Sequence, residues 1–175
     1  SRRLAIELAT GIQYLHSQSV VHCDLKPENV LVHKGQIKIC DFGLAGYAGD
    51  ERSGSATGTR AYMAPELINR RSTTTYKITE AQDVWSFGVV LYAMLFSDLP
   101  WEKARLADDD FKLYCKKGGV SSSLYPFNTV ASPMQALLRG VLAIKASQRP
   151  SMEAVIEHMK TGHAWYEGGE KKAVT

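Results

Sequence analysis

The sequence predicts an α+β domain that is mainly α-helical and carries one small β-hairpin. Residues 84–96 (VWSFGVVLYAMLF) are apolar on every side, which is typical of a helix buried at the centre of a domain. Residues 3–16 place their apolar side chains largely at helical spacing. Short β-branched runs at 19–22, 30–32 and 37–40 predict strands, and a Lys-Gly turn joins the last two into a hairpin.

The remaining helices are indicated by prolines and by capping residues. Pro133 and Pro150 stand where two helices are expected to begin, because proline is favoured in the first helical turn. Asp83 stands at the start of the central helix and is a residue type preferred at the N-cap. The additional predicted helices cover residues 66–69, 108–117, 133–142 and 151–159.

Residues 43–60 are rich in glycine, serine, threonine and alanine and show no hydrophobic period. We predict a long loop without regular structure over this segment. Loops of such length inside compact domains are usually functional.

The chain of 175 residues has the length of one domain with one core. Hydrophobic residues make up 45% and charged residues 22%, which is ordinary globular usage and argues against extensive disorder. We predict one domain over residues 1–161, followed by a polar tail over residues 162–175.

Charge and cysteine patterns exclude several classes of function. The formal net charge is +3, and Lys and Arg are scattered rather than gathered in the stripe that nucleic-acid binding requires. No apolar run reaches transmembrane length. The three cysteines form no CxxC pair and are typical of reduced thiols. We therefore predict a protein of the cytoplasm or nucleus, with no nucleic acid and no membrane among its partners.

Five short motifs follow one another along the chain. They are HCDLKPEN at residues 22–29, DFG at 41–43, APE at 64–66, DVWSFG at 83–88 and Arg149-Pro150. In this order and spacing they resemble the signature set of the serine/threonine protein kinase catalytic domain, over residues 4–159. The resemblance implies a protein-kinase-like α+β fold, of which this chain would be the mainly helical C-terminal lobe.

The resemblance also implies transfer of the γ-phosphoryl group of ATP, with Mg²⁺, to Ser or Thr hydroxyls of protein substrates. Such transfer depends on positioning and charge neutralisation, and the residue types are suited to both. Asp24 can accept the substrate's hydroxyl proton, and Lys26 can offset charge on the transferred phosphoryl group. Asn29 and Asp41 offer hard oxygen ligands to Mg²⁺. A lysine within DLKPEN is what serine/threonine kinases show, whereas tyrosine kinases usually carry a different run.

The site residues are assigned by the same resemblance. The catalytic residues would be Asp24, Lys26 and Thr59, with Thr59 bracing the other two. ATP and its metal would be bound by Lys26, Glu28, Asn29, Leu31 and Asp41, of which Asn29 and Asp41 would be the metal ligands. Taken singly, Asp24 or Asn29 could merely cap a turn, and Leu31, placed under the adenine ring, could be an ordinary core residue.

Other motif residues are expected to have structural roles. Asp83 should brace the backbone of the catalytic loop as well as cap its helix. Glu66 and Arg149 resemble the buried ion pair of the family. His22 and Phe42 are expected to pack as part of the core that links the two lobes of a kinase.

One residue of the catalytic loop departs from the family pattern. Cys23 stands where the family commonly has an arginine that binds a phosphate on the activation loop. We therefore hypothesise that activity does not depend on phosphorylation of Ser53, Ser55 or Thr57.

The sequence contains no GxGxxG turn and no strand lysine followed by a helix glutamate. The run LAIK at residues 142–145 resembles the strand motif VAIK, but it follows the catalytic loop and cannot be that lysine. We expect the N-terminal lobe to be missing, so that the chain offers half of an ATP pocket and is part of a longer enzyme. The alternative is a catalytically inactive, truncated kinase-like module that binds or regulates partners.

Overall fold

The computed structural model describes residues 2–71, 73–120, 126–161 and 165–166. Helices are the main regular structure of the described chain, as the sequence predicts, and with the short 3₁₀ turns they cover close to half of it. The helices are α1 (Arg2–Ser17), α2 (Pro65–Ile68), α3 (Glu80–Phe96), α4 (Asp109–Lys116), α5 (Ser132–Val141) and α6 (Met152–Lys160). Within the described ranges, no helix has both the length and the apolar character that crossing a membrane requires.

Helix α3 is the centre of the hydrophobic core. Trp85, Val89 and Leu91 are completely buried, because its side chains meet neighbours on every side. Helix α1 packs against both α3 and α6, and α5 packs against α3. The prediction of a buried central helix is confirmed.

Helix α3 begins earlier than the sequence suggested. Its N-cap is Thr79 and its first residue is Glu80. The prediction that Asp83 caps this helix is therefore wrong. Asp83 lies in the first turn, where a carboxylate suits the positive end of the helix dipole, and its side chain is completely buried.

The strands form three two-stranded antiparallel sheets. The predicted hairpin is present, with Val30 opposite Ile39, and its turn has positive φ at Lys34 (49°) and Gly35 (77°). The sheets are β1 (Val20–Val21) with β4 (Gly46–Tyr47), β2 (Val30–His33) with β3 (Gln36–Ile39), and β5 (Glu51–Arg52) with β6 (Tyr76–Lys77).

The segment 43–60 is a loop with two short strands rather than a structureless loop. Strand β4 pairs with β1, and β5 pairs with β6. Both partners lie more than 20 residues away in the sequence, so no local pattern could predict these pairs.

Two residues of the predicted polar tail pack against the domain. Trp165 is 6% exposed and its carbonyl accepts a hydrogen bond from the Ala131 N–H at 3.1 Å. Tyr166 forms an antiparallel bridge with Val130. The rest of the predicted tail, residues 162–164 and 167–175, lies outside the described residues.

The predicted ion pair between Glu66 and Arg149 is present. Nη1 and Nη2 of Arg149 donate to the two carboxylate oxygens of Glu66 at 2.7 and 2.8 Å. The Arg149 side chain is fully buried, and it also donates to the carbonyls of Ala81, Ala143 and Ile144. This pair joins α2 to the segment between α5 and α6, so that it fixes where the loop of residues 43–64 ends. The LAIK run at residues 142–145 thus supplies two of these backbone acceptors, the carbonyls of Ala143 and Ile144.

Replacement of Glu66 by Gln should destabilise the fold. The substitution keeps the shape but leaves the buried guanidinium without a counter-charge, which should lower the free energy of unfolding by about 1–3 kcal/mol. Urea unfolding measures this loss. Glu157→Gln, at an exposed position of α6, is the control and should change it by less than about 0.5 kcal/mol. Equal effects of the two substitutions would contradict the prediction.

Candidate active site

The site is organised by the carboxylate of Asp83, which is completely buried. Its two oxygens accept hydrogen bonds from the backbone N–H of His22 at 2.8 Å and of Cys23 at 3.0 Å. Nε2 of His16, on α1, lies 3.1 Å from the same carboxylate. Asp83 therefore braces the start of the loop of residues 22–29, hereafter the Asp24 loop, as the sequence predicts.

His22 joins the Asp24 loop to the segment that contains Asp41. Its Nε2 donates to the carbonyl of Cys40 at 3.0 Å, and its Nδ1 accepts from the Asp24 N–H at 3.3 Å. The partners fix the tautomer, because a carbonyl only accepts and an amide N–H only donates. The His22 and Phe42 rings lie 5.1 Å apart. His22 is completely buried, as predicted, whereas Phe42 is 47% exposed and is not part of the core of the described chain.

Asp24, Lys26 and Thr59 form one hydrogen-bonded cluster. Oδ1 of Asp24 accepts from the Thr59 N–H at 2.7 Å, and Oδ2 lies 2.9 Å from Nζ of Lys26. The same Nζ donates to Oγ1 of Thr59 at 2.9 Å. The structure thus brings together the three residues that the sequence nominates as catalytic, although Thr59 is 35 positions from Asp24.

The cluster sets the charges of its members. Burial works against ionisation of Asp24, but hydrogen bonds from Lys26 and from Thr59 outweigh it and hold the pKa of this carboxyl below its ordinary value. The hydrogen bond to Asp24 raises the pKa of Lys26, against the effect of burial. Both groups are therefore charged at neutral pH. Asp24 can accept a hydrogen bond from a hydroxyl but is a weak base in the ground state.

Asn29 and Asp41 flank this cluster. Nδ2 of Asn29, which is 5% exposed, donates to the carbonyl of Asp24 at 2.9 Å. This bond orients the amide and leaves Oδ1 as its candidate ligand atom. Asp41 is exposed, and its negative charge helps to raise the pKa of Lys26, after the larger contribution of Asp24.

One carboxylate and one amide oxygen are a donor set that fits Mg²⁺, which usually takes one or two protein ligands and completes its shell with phosphate and water. The described residues contain no cluster of three or more His, Cys, Asp or Glu that could hold a metal by itself. Asn29 and Asp41 are therefore a candidate pair of metal ligands.

Glu28 and Leu31 are less closely connected to the cluster. Glu28 is exposed in the 3₁₀ turn Pro27–Asn29, and its charge contributes to the raised pKa of Lys26 after the larger effects of Asp24. Leu31 is 53% exposed on β2, opposite Lys38. Leu31 is therefore not the ordinary core residue that was the alternative reading of the sequence.

Sequence reasoning missed the role of Gly58. Its φ is +124°, and a Cβ there would lie 3.0 Å from the Cys23 carbonyl oxygen and 3.4 Å from Oδ1 of Asp24. The absent side chain allows the loop to approach Asp24 so that Thr59 N–H can reach the carboxylate. The signal was present in the dipeptide Gly58-Thr59, but only the fold shows what the glycine approaches.

Comparisons with known proteins agree with this geometry. The family model described as protein kinase domain matches residues 1–159. The chain is 34% identical over 173 residues to the serine/threonine-protein kinase SBK1 of Danio rerio, covering 94% of this chain and 43% of that protein. It is 36% identical over 157 residues to the serine/threonine-protein kinase chk1 of Schizosaccharomyces pombe, covering 87% of this chain and 30% of that protein. The chain therefore spans less than half the length of these relatives.

Removal of the Asp83 carboxylate should destabilise the protein. Asp83→Asn keeps the size, but an amide presents only one acceptor to the N–H groups of His22 and Cys23. We expect the free energy of unfolding to fall by about 2–4 kcal/mol, measured by urea unfolding. Asp110→Asn, at an exposed position of α4, is the control. A loss no larger than that of the control would show that Asp83 does not brace the Asp24 loop.

Proposed function

The chain belongs to the protein kinase family, and on that premise we propose that the protein is a serine/threonine kinase that transfers the γ-phosphoryl group of ATP to Ser or Thr hydroxyls of protein substrates. The observation that carries the proposal is the cluster of Asp24, Lys26 and Thr59, with its two charges kept ionised by mutual hydrogen bonds. Phosphoryl transfer depends on this kind of positioned charge.

The preference for Ser and Thr is supported by Lys26 and its contacts. In this chain Lys26 is held between Asp24 and Thr59, beside the carboxylate that would receive the substrate hydroxyl. The relatives compared above carry serine/threonine kinase names. A third contact of Lys26, from Nζ to the transferred phosphoryl group, would offset the negative charge of that group during transfer.

The mechanism follows from the roles of the chain's own residues. Asp24 accepts a hydrogen bond from the substrate hydroxyl and orients its oxygen toward the γ-phosphorus. The new oxygen–phosphorus bond forms, the bond to the β–γ bridging oxygen of ATP breaks, and the hydroxyl proton passes to Asp24. Asn29 and Asp41 would hold Mg²⁺, which when bound neutralises charge on the phosphates.

Glu28 and Leu31 are proposed contributors to the nucleotide site. Strand β2 begins directly after Asn29, so Leu31 lies two residues beyond a proposed metal ligand. Its half-exposed apolar side chain offers a surface that an adenine ring could cover. Glu28 lies close enough to Lys26 for its charge to affect that residue's pKa.

We also propose that the chain acts as part of a longer kinase that supplies the N-terminal half of the nucleotide site. The lengths of the relatives support this, since the chain covers 43% and 30% of the two described above. The intact mass of the protein in its source cells tests it. We expect a value well above 19.3 kDa, whereas a mass of 19.3 kDa would favour a non-catalytic binding module.

Asp24→Asn and Asp41→Asn should each remove phosphoryl transfer from the natural protein. The first substitution removes the acceptor of the hydroxyl proton and the second removes a charged metal ligand, so kcat should fall about 10²- to 10⁴-fold. A radiolabelled-ATP assay on a general Ser/Thr protein substrate measures this. Asp109→Asn, at an exposed position of α4, is the control and should retain full activity.

Full rates in both site variants would show that the residue roles are wrong. A natural protein that fails to transfer phosphate even without substitution would instead favour the binding-module alternative.

A further inference from the structure

Arg52 ties the middle of the loop of residues 43–60 to its beginning, directly after Asp41-Phe42-Gly43. Its Nη2 donates to the carbonyl of Leu44 at 2.7 Å and to the carbonyl of Ala45 at 2.9 Å. These carbonyls belong to the first residues after the DFG motif, whereas Arg52 lies in β5. One partly buried guanidinium therefore fixes the backbone directly beyond a proposed metal ligand.

The space around this guanidinium is shaped to admit it. A Cβ on Gly46 would lie 2.9 Å from Nη2 of Arg52 and would collide with Ile78. The backbone of Arg52 is itself held, because β5 pairs with β6 and Asp50 O accepts from Ile78 N–H at 2.8 Å. The backbone that carries the Arg52 side chain is therefore held in place, as are the carbonyls to which the guanidinium donates.

Arg52 also lies beside Cys23 of the Asp24 loop. Burial and the neighbouring Asp83 raise the pKa of the Cys23 thiol to about 11, and Arg52 acts in the opposite direction, as a guanidinium close to the sulfur would. Cys23 occupies the position at which the family commonly has an arginine. The positive charge missing from the Asp24 loop is thus present nearby, but it comes from the facing loop.

Another arginine, Arg70, also contacts the loop of residues 43–60. Its guanidinium donates to the carbonyls of Gly54 and Thr74 and lies 4.4 Å from the centre of the Tyr76 ring. Its hydrogen bonds thus join the far part of the loop to the segment before α3. Neither Arg52 nor Arg70 needs a phosphate to hold the loop in the arrangement observed.

We propose that Arg52 is a positioning residue that holds the segment after Asp41 in its catalytic arrangement, in place of the contact between a catalytic-loop arginine and a loop phosphate. The inference rests on the proposed kinase function. It explains how the protein can do without the arginine that Cys23 replaces, and it accords with the exposure of Ser53, Ser55 and Thr57, whose side chains lie in solvent. Arg52 acts through the backbone of residues 44–45 on Asp41 and does not touch the reacting groups.

Arg52→Met in the natural protein tests the proposal. We expect kcat to fall about 10- to 100-fold, because a ligand displaced by about an ångström costs rate on that scale. The KM for the protein substrate should change little. Amide hydrogen exchange, read by mass spectrometry, should rise over residues 43–52 and stay unchanged in α3. Arg71→Met, at an exposed position nearby, is the matched control and should leave both readouts unaltered.

Two further variants complete the experiment. Arg52→Lys, the milder change, should fall between the wild type and Arg52→Met, because it keeps a charged donor but places it on a flexible stem instead of the planar guanidinium. Joint replacement of Ser53, Ser55 and Thr57 by Ala should leave kcat within about twofold, since no phosphate is needed for the arrangement.

The outcomes separate this inference from the proposed function. Full activity in Arg52→Met, unchanged exchange over residues 43–52, or loss of activity in the triple alanine variant would each overturn the role of Arg52; the last would indicate that a loop phosphate is required. A wild-type protein that transfers no phosphate would overturn the kinase proposal. In that case raised amide exchange over residues 43–52 in Arg52→Met would still support the proposal that Arg52 holds this segment. Unchanged exchange there would still overturn it.

Discussion

The completely buried carboxylate of Asp83 is the interaction on which the rest of the site depends. A buried charge is strongly unfavourable unless hydrogen bonds compensate it, and here the compensation comes from His16 on α1 and from the backbone of His22 and Cys23. The core helix α3 therefore dictates where the Asp24 loop begins. Loss of these bonds would leave both a buried charge and an unsupported loop.

Backbone conformation explains why such support is needed. Cys23 and Asp41 have φ of 66° and 63°, in the left-handed region that side chains rarely adopt. Cys23 precedes Asp24, the proposed acceptor of the hydroxyl proton, and Asp41 is itself a proposed metal ligand. Such conformations persist only where surrounding contacts determine them. Asp83 supplies these contacts at Cys23, and the hydrogen bond from His22 to the carbonyl of Cys40 does so immediately before Asp41.

Sequence patterns predicted the features that local information determines. The period of α1, the all-round apolar α3 and the Lys34-Gly35 turn are local. The resemblance to the kinase family nominated Asp24, Lys26 and Thr59 before the fold brought them together. The pairing of β4 with β1 and that of β5 with β6 join strands that are distant in the sequence, so neither was predictable. The N-cap assignment of Asp83 was wrong because α3 begins at Glu80, before the apolar run from which its start was inferred. The partners of Asp83 on α1 and in the Asp24 loop lie 60 or more residues away, so no local pattern shows them. The contacts of Arg52 were hidden for a similar reason, since nothing in the sequence shows which carbonyls face a loop arginine.

The most direct test of the central claim is amide hydrogen exchange at His22 and Cys23, resolved by NMR on the natural protein. If Asp83 holds these N–H groups, both amides should exchange only through global unfolding, as slowly as the buried amides of α3. Exchange of either amide through local opening, much faster than that of α3, would contradict the account and show that the Asp24 loop is held by something other than the Asp83 carboxylate.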